Sequence, residues 1–361
     1  MLTADGCRAR RERLWQRPEI PADVSVLALA DPIHLGYFAD AYSDPINLGH
    51  PMPMVLLVRR DGSATLISDR RAPASVCAAH VEDKVMTDWY DGQSPGAGPR
   101  QLAIDGQLAK LGVARIHDRF GDPLHVPLTK AIAAMRRAKD ADEIAAQRVC
   151  MRACEAGHAW ARANLKAGMS ELDVYGGVSA ACVKAAGQPA IVYGDFAVSP
   201  GPERKGGPAT AQVLRDGDMF ILDYSVVIGG YRSDFTNTLV VGGKPNDAQR
   251  RLYDSCMAAM KAGEGKLRAG MSCLAVYNAV ADAFGDSAAH FPHHAGHGLG
   301  LSHPEAPYFV RKATETLVAG DVVTLEPGLY VAGVGGIRIE HNYLVTEDGF
   351  ERLSNHVIAL A

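Results

Sequence analysis

The sequence lacks the features that would place the protein in a membrane or on a nucleic acid. No stretch approaches 18 uninterrupted apolar residues, the length that a transmembrane helix needs. Long runs of basic residues are absent and the formal net charge is -4, so nothing indicates a surface that follows a phosphate backbone. The first residues, MLTADGCRARRERLWQ, contain no apolar segment of a secretory signal. We therefore expect a soluble, cytoplasmic protein that binds neither nucleic acid nor membrane.

Cysteine is too sparse and too irregularly spaced to form a disulfide framework. The chain has seven cysteines, an odd number, in 361 residues, and a chain of this length does not depend on disulfides for its stability. Cys150 and Cys154 are four residues apart, as two metal ligands on one helix would be, but a second such pair is missing. We expect ordinary reduced thiols.

The first third of the chain has the pattern of a small α/β unit. Short apolar runs predict strands at 25–31, 52–60, 63–68, 102–104 and 114–116, and strands that alternate with helical stretches indicate a layered domain. Its histidines show no ligand spacing, so we expect surface or core roles for all of them: His34, His50, His80, His117 and His125. Near residue 135 the sequence becomes rich in Ala, Arg and Glu with helical periodicity, which predicts domains over 1–135 and 136–361.

The second region contains an internal repeat. Residues 214–223 are LRDGDMFILD and residues 317–326 are LVAGDVVTLE, and each copy leads to a second acid, through GGYRSD to Asp234 and through GGIRIE to Glu340. The duplication extends upstream, where LKAGMSELDVY is repeated as LRAGMSCLAVY. Each half therefore predicts a helix, a glycine stop, a second helix and a strand pair. Two such halves face to face would form a pseudo-twofold sheet backed by helices.

The repeated acids predict a metal site. Asp223 ends the apolar run MFIL and Glu326 ends VVTL, and a carboxylate on an interior strand is costly unless it is paired or binds a cation. Paired glycines before Asp234 and Glu340 would return the chain and bring all four acids together. Two divalent ions would supply the positive charge that four converging carboxylates need. His297, in HAGHGLG, adds an imidazole to this set.

Oxygen-rich ligation with one nitrogen suits Mn, Co, Zn or Fe, and the sequence does not choose among them. An alternative is that the acids are turn residues or partners of Arg232 and Arg338. We interpret Asp218 and Asp321, which directly follow glycine in each copy, as the acids that serve the turns.

In their order along the chain, these motifs resemble the pita-bread metallohydrolases, which include methionine aminopeptidase, X-Pro aminopeptidase, prolidase and the metal-free creatinase. DYSVVIGGYRSDFTNT resembles the family's two-aspartate hairpin, GHGLGL its histidine motif, LEPGLY its first glutamate motif and GGIRIEHNYLVTEDG its last. The resemblance covers residues 136–361. It implies an α+β fold, with a creatinase-like N-terminal α/β domain followed by a pseudo-twofold pita-bread domain whose curved, mostly antiparallel sheet is backed by helices.

The resemblance also implies a role for each acid in a dinuclear centre. Asp223 would chelate one ion, Asp234 and Glu340 would bridge both ions, and His297 and Glu326 would hold the second. Two ions at close distance would activate a water molecule and polarise the scissile carbonyl. Glu326 would accept a proton from that water.

Among the other histidines, His293 matches a family histidine that contacts the substrate or the tetrahedral intermediate. We rank His290 and His294, in the same segment, below it. His293 and His303 complete the set of predicted catalytic residues with Glu326.

The chain departs from the peptidases of this family at several positions. They usually carry a histidine 17 residues before the first metal aspartate, where this chain has Gly206, and another directly before Glu-x-Pro, where it has Pro304. His303 lies one residue early, and a proline can redirect the residue before it toward the site. The family's Thr-Arg-Thr is Thr-Asn-Thr here, and Thr238 is a candidate for supporting a metal carboxylate.

Three functions are compatible with this pattern. The first is a metal-dependent hydrolase that cleaves a peptide bond, of the X-Pro aminopeptidase or prolidase type. The second is a dinuclear-metal hydrolase or lyase that acts on a small non-peptide amide or metabolite, and the third is a binding protein without catalysis. Arg204 or Lys205 is a candidate for contacting a substrate carboxylate, with a solvated loop as the alternative.

Relatives with both domains are commonly homodimers, so the resemblance implies a homodimer here. It also suggests that Tyr37, Phe38 and Tyr42 contribute to the wall of a substrate site, although aromatic residues at such spacing are more often found in a core or an interface.

Overall fold

The computed structural model describes residues 2–43, 53–71, 74–90, 92 and 96–361, and His50 lies outside them. The chain divides into two compact units, Met1–Arg136 and Arg137–Ala361. Both units combine helices with mainly antiparallel sheets, which confirms the predicted α+β fold class. Within these described ranges, no helix is both long enough and apolar enough to cross a membrane.

The first unit is built on a four-stranded sheet in the order β1-β2-β3-β4, in which only the β3–β4 pair is parallel. Apolar side chains from the sheet and from the helix that covers it form the core of this unit. Its helices and strands are α1 (Ala4–Trp15), β1 (Val26–Leu29), α2 (Pro32–Ala39), β2 (Met54–Arg59), β3 (Ala64–Asp69), α3 (Ala74–Cys77), β4 (Asp83–Thr87), α4 (Ala97–Lys110) and α5 (His125–Met135).

Two predicted strands of this unit are wrong. Residues 102–104 lie inside α4, and residues 114–116 form no strand. Ile104 and Leu108 are buried and four residues apart, as on one face of a helix, whereas Leu102 is 71% exposed. A three-residue apolar run is too short to distinguish the two-residue period of a strand from the 3.6-residue period of a helix.

The second unit contains the repeat, in which two helix pairs, α6 with α7 and α8 with α9, each precede a group of strands. Its elements are α6 (Ala141–Asn164), α7 (Glu171–Ala186), β5 (Ile191–Val198), β6 (Met219–Ile228), β7 (Tyr231–Arg232), β8 (Phe235–Val240), α8 (Asp247–Glu264), α9 (Cys273–Ala283), β9 (Gly296–Gly298), β10 (Glu305–Phe309), β11 (Val322–Leu325), β12 (Gly328–Val331), β13 (Gly335–Arg338), β14 (His341–Val345) and β15 (Phe350–Arg352).

The strands of the second unit form antiparallel ladders that bring the two halves of the repeat together. In the first half, β6 lies between β5 and β8. In the second half, β11 lies between β9 and β14. The backbone N–H of Glu340 donates to the carbonyl of Thr236 at 3.0 Å, so the ends of the two groups are held in a fixed register. This arrangement places both acid-bearing segments side by side.

Candidate metal centre

The first pair of acids is positioned by β6, β7 and β8. Asp223 lies within β6, in register with Asp195 on β5 and Thr236 on β8. The β6–β7 turn at Gly229 and Gly230 has positive φ angles of 58° and 86°, a conformation that glycine adopts without strain. The chain then returns beside β6, so that Asp234, at the start of β8, lies next to Asp223.

The second pair of acids is positioned by β11, β13 and β14. Glu326 directly follows β11, and its backbone N–H donates to the carbonyl of Ala295 at 3.0 Å, beside the strand that carries His297. Glu340 lies between β13 and β14. Glu340 is 1% exposed and His297 3% exposed, so both side chains belong to the interior of this unit.

Within the described ranges, metal-ligand atoms converge in three overlapping groups, each with all its atoms within 4.8 Å of one another. The structure therefore brings together all five predicted metal ligands and two further histidines. The groups are Asp223 with Asp234 and Glu340, His294 with His297 and Glu326, and Asp234 with His297 and His303.

His297 is oriented as a metal ligand would be. Its Nδ1 lies 2.9 Å from the carbonyl oxygen of Gly298, which can only accept, so Nδ1 carries the proton. Its Nε2 is left to face the carboxylates, 3.5 Å from both Asp234 Oδ2 and Glu326 Oε1. A second partner that fixes the ring in this way is typical of metal-binding histidines.

The surroundings of the carboxylates favour a bound cation. Glu340 Oε2 accepts a hydrogen bond from the Thr236 hydroxyl at 2.7 Å, whereas the buried Oε1 has no hydrogen-bond partner. Burial, and then the nearby Asp234 and Asp223 carboxylates, raise the pKa of Glu340 well above its ordinary value. An unpaired buried carboxylate oxygen among like charges fits a bound divalent ion.

Arg338 supplies part of the missing positive charge. Its Nη2 contacts both Asp223 Oδ2 and Asp195 Oδ2, and its Nη1 donates to the Tyr330 hydroxyl at 2.8 Å. Burial raises the pKa of Asp223 to about 7, Arg338 opposes that rise, and Asp234 adds to it. The alternative that the repeated acids are arginine partners therefore applies to Asp223, but one guanidinium cannot neutralise four carboxylates.

Comparisons with known proteins match these motifs to one family. The sequence model of Metallopeptidase family M24 matches residues 145–347, which are more than half of the chain. The chain belongs to metallopeptidase family M24. It is therefore a metallopeptidase of a family that depends on divalent metal, and the predicted pita-bread resemblance is confirmed.

Individual M24 relatives are similar over most of their length. The chain is 31% identical to the probable dipeptidase PepE of Mycobacterium tuberculosis over 282 residues, which cover 75% of this chain and 74% of that protein. The crystal structure of dipeptidase PepE from Mycobacterium ulcerans covers 100% of this chain and 99% of its own, with 26% identity and a TM-score of 0.75. The Xaa-Pro dipeptidase of Bacillus anthracis matches in fold, with 23% identity, a TM-score of 0.76 and 99% of both chains covered.

The structure gives the two adjacent histidines of this M24 chain different surroundings. His293, predicted to contact substrate, has Nδ1 2.7 Å from the carbonyl oxygen of His294 and Nε2 3.3 Å from the Tyr330 hydroxyl. Burial lowers the pKa of His293 to about 4. His294, which we ranked below His293 as a catalytic residue, has a side chain that is 40% exposed. Its Nε2 lies 3.0 Å from Glu326 Oε1.

His303 reaches the site despite its displacement along the sequence. Its Nε2 lies 2.7 Å from Asp234 Oδ2, and its side chain is 30% exposed. Burial lowers the pKa of His303, but the hydrogen bond and charge of Asp234 outweigh that effect and raise it above its ordinary value. The buried Lys139–Glu305 ion pair, with Nζ and Oε1 2.8 Å apart, anchors the segment that carries His303.

Gly206, the position at which the family's peptidases usually carry a histidine, lies against the carboxylate of Asp195 on β5. A Cβ at Gly206 would overlap the Asp195 carboxylate, so glycine leaves the space in which Asp195 reaches Arg338. Arg204 forms an ion pair with Glu171. Lys205 lines the cavity that the acids and histidines of the candidate metal centre also line.

Several residues near the acids carried no signal in the sequence pattern. The Ser225 hydroxyl donates to Asp234 Oδ1 at 3.3 Å, and Thr236 binds Glu340. Thr238, predicted to support a carboxylate, instead donates to the backbone carbonyl of Arg338 at 2.8 Å. The alternation of side chains along β8 places both threonines on one face, but the partner of each depends on the register with the second half of the repeat.

The remaining sequence expectations concern turns and aromatic residues. Asp218 and Asp321 accept hydrogen bonds from the backbone N–H groups of Arg215 and Val318, both at 2.8 Å, as turn residues do. Tyr37 and Phe38 are fully buried in the first unit, which favours their core role.

Proposed function

We propose that this M24 chain hydrolyses short peptides, with X-Pro dipeptides as the preferred class, using water activated by two divalent ions. The observation that carries the proposal is the convergence of four carboxylates and the free Nε2 of His297 on one cavity. Asp223 and Glu340 group with Asp234, Glu326 groups with His297, and Asp234 and His297 also share a group, so the two sets are joined. Four carboxylates balance the charge of two divalent ions.

The cavity is of a size that favours a small substrate. Its volume is about 360 Å³, near the lower end of the range of about 300–1,000 Å³ for small-molecule sites. Similarity to proteins named dipeptidase and Xaa-Pro dipeptidase supports the same substrate class. The walls combine charged groups with histidine and tyrosine rings, and the residues beside the acids include Tyr193, Asp195, Lys205, Tyr224, His293, His294, His303 and Arg338.

A pair of divalent ions supplies Lewis acidity, which lowers the pKa of water and polarises a carbonyl oxygen. The chain's own residues position the reactants around that chemistry. Glu326 accepts a proton from the attacking water. In the metal-free chain, burial raises the pKa of Glu326, but the hydrogen bond from His294 and the neighbouring histidines outweigh burial and lower it below its ordinary value. His303 holds a proton on Nε2 against Asp234, at a position that faces the cavity.

The test is a substrate panel. Protein loaded separately with Mn²⁺, Co²⁺ or Zn²⁺ is assayed with X-Pro dipeptides, dipeptides without proline, longer X-Pro peptides, and small cyclic or methylated amides. We expect the highest kcat/KM with X-Pro dipeptides and a loss with increasing length. The Asp234→Asn variant serves as the control for contaminating peptidases. Confirmed binding of two ions without cleavage of any X-Pro bond would contradict the proposed substrate.

A second candidate is hydrolysis of a small non-peptide amide. The combination of Gly206 with Asp195 favours it, because Gly206 supplies no imidazole and the cavity wall beside it carries the Asp195 carboxylate. Turnover of the cyclic or methylated amides, without turnover of peptides, would support this function.

We also propose that the chain forms a homodimer, as its family resemblance implies. Light scattering coupled to size-exclusion chromatography measures the mass in solution. A mass close to the 38.4 kDa of one chain at micromolar concentration would contradict the dimer.

A further inference from the structure

The two adjacent histidines of the HHAGHG segment differ in what their ring nitrogens contact. Both nitrogens of His293 are engaged within the fold: Nδ1 faces a carbonyl oxygen, so it carries the proton, and Nε2 accepts from the Tyr330 hydroxyl. The Tyr330 hydroxyl in turn accepts from Arg338, which fixes its own proton toward His293. His293 is therefore held by hydrogen bonds on the side of the site that Arg338 occupies.

His294 instead faces the carboxylates. Its Nε2 is 3.0 Å from Glu326 Oε1, and Nε2 of His297 is 3.5 Å from the same oxygen. Two ligand atoms on one ion, with bonds of about 2.0–2.2 Å, lie about 3.0–3.5 Å apart. Both distances lie in this range, and the three ligand atoms all lie within 4.8 Å of one another, so they are close enough to share an ion.

We propose that His294 is an additional ligand of the metal ion that His297 and Glu326 hold. This inference rests on the proposed dinuclear centre and extends it, because that ion then has two imidazole ligands. Imidazole suits zinc, iron and copper, whereas sites of carboxylate, carbonyl and water suit manganese. The His294 position therefore prefers Zn²⁺ or Fe²⁺ to Mn²⁺.

Three variants separate ligation from a simple ion pair. His294→Gln keeps an amide that can donate to Glu326, and His294→Arg keeps a positive charge beside it. His290→Ala is the matched control, since His290 is exposed in the same segment and belongs to none of the three ligand groups. Circular dichroism and thermal unfolding establish that each variant is folded.

Binding of Zn²⁺ and Mn²⁺ is measured by titration against a competing chelator, and X-ray absorption at the zinc edge counts imidazole rings per ion. We expect two rings over two zinc ions in the unmodified protein and one ring in both His294 variants. We expect the Kd of one zinc ion to rise by about tenfold to a hundredfold in these variants, with a smaller rise for manganese. His290→Ala should match the unmodified protein.

Unchanged ring count and zinc Kd in His294→Gln and His294→Arg would overturn the proposal, and so would recovery of the unmodified behaviour by His294→Arg alone, which would reduce His294 to an ion-pair partner. Failure of the proposed function looks different. If the unmodified protein holds fewer than two ions, the dinuclear centre fails and this inference fails with it, whereas two tightly held ions in every variant overturn the His294 ligand only.

Discussion

The two repeated strand pairs provide equivalent acids but surround them differently. Asp223, in the first pair, contacts Arg338, whereas Glu326, in the second, contacts His294. Burial raises the pKa of Asp223 to about 7, while the histidines near Glu326 outweigh its burial and lower its pKa. The repeat thus explains where the carboxylates lie, whereas their pKa values depend on neighbours that differ between the two halves.

The arginines of the repeat show where its symmetry is broken. Arg232 and Arg338 occupy the same place in GGYRSD and GGIRIE. Arg338 crosses to Asp223 in the other half, but Arg232 donates to the Tyr193 hydroxyl at 2.9 Å and to the carbonyl of Leu301 at 2.9 Å. Glu326 therefore has no guanidinium partner among the described residues, and His294 takes that place.

The largest expected effect is the loss of a proposed bridging acid from either half. If Asp234 and Glu340 bridge the two ions, Asp234→Asn and Glu340→Gln should each lower kcat/KM by about a thousandfold or more and leave fewer than two bound ions, because each would remove a charge that both ions share. Metal analysis after dialysis and kinetics measure this. Asp218→Asn, at the turn of the same repeat, is the control and should retain both ions. Two retained ions in both acid variants would contradict the assignment.

The equivalent arginines provide the next comparison. Arg338→Met leaves the largely buried Asp223 and the partly exposed Asp195 without their shared cation, so we expect a loss of about 3 kcal/mol in the free energy of unfolding of the metal-free protein. Arg232→Met removes hydrogen bonds to neutral oxygens only, and we expect about 1 kcal/mol. Urea titration measures both. Equal losses would show that the repeat's symmetry extends to its arginines.

These differences mark how much the sequence predicts. Apolar runs that end in an acid, followed by glycine turns, predict the strands and their convergence, because a two-residue period and a tight turn are local properties. The partners of the acids depend on tertiary register: Asp195 comes from β5, Thr236 from β8 and His294 from the segment before β9. Thr236 and His294 lie in recognised motifs, but the motifs do not predict which acid each of them contacts, and Asp195 carries no pattern of its own. A charged side chain is also a poor guide to exposure. Arg11 is only 1% exposed, and its guanidinium donates hydrogen bonds to backbone carbonyls.

The opposite pKa shifts predict a pH dependence for the metal-free protein. A carboxyl group whose folded pKa is raised contributes stability below its unfolded pKa, and that contribution is lost as the pH rises through the folded pKa. For Asp223 the window runs from about 4 to about 7. Because the pKa of Glu326 is lowered, its ionised form stabilises the fold, and that contribution is lost only at more acidic pH, below the ordinary pKa of a glutamate.

We therefore expect the free energy of unfolding of the metal-free protein to fall by on the order of 2 kcal/mol more between pH 5 and about 7.5 than that of Asp223→Asn. Asp218→Asn, at the turn of the repeat, should retain the slope of the unmodified protein in this window. Denaturant titrations at several pH values measure the slopes. A slope that Asp223→Asn leaves unchanged would show that Arg338 keeps Asp223 ionised throughout.

The smallest expected effects come from two threonines on β8, both fully buried. Thr236 donates to Glu340 Oε2, so Thr236→Val removes a hydrogen bond from a carboxylate that we propose bridges the ions, and we expect metal Kd to rise about tenfold. Thr238 both donates to and accepts from the backbone of Arg338, so Thr238→Val should lower the free energy of unfolding by about 1–2 kcal/mol and leave metal Kd nearly unchanged. Since valine replaces threonine with almost the same shape in both variants, packing changes little. The two variants differ only in the hydrogen-bond partner that the hydroxyl loses. Equal metal affinities in the two variants would therefore mean that Thr236 does not orient Glu340 for the ions.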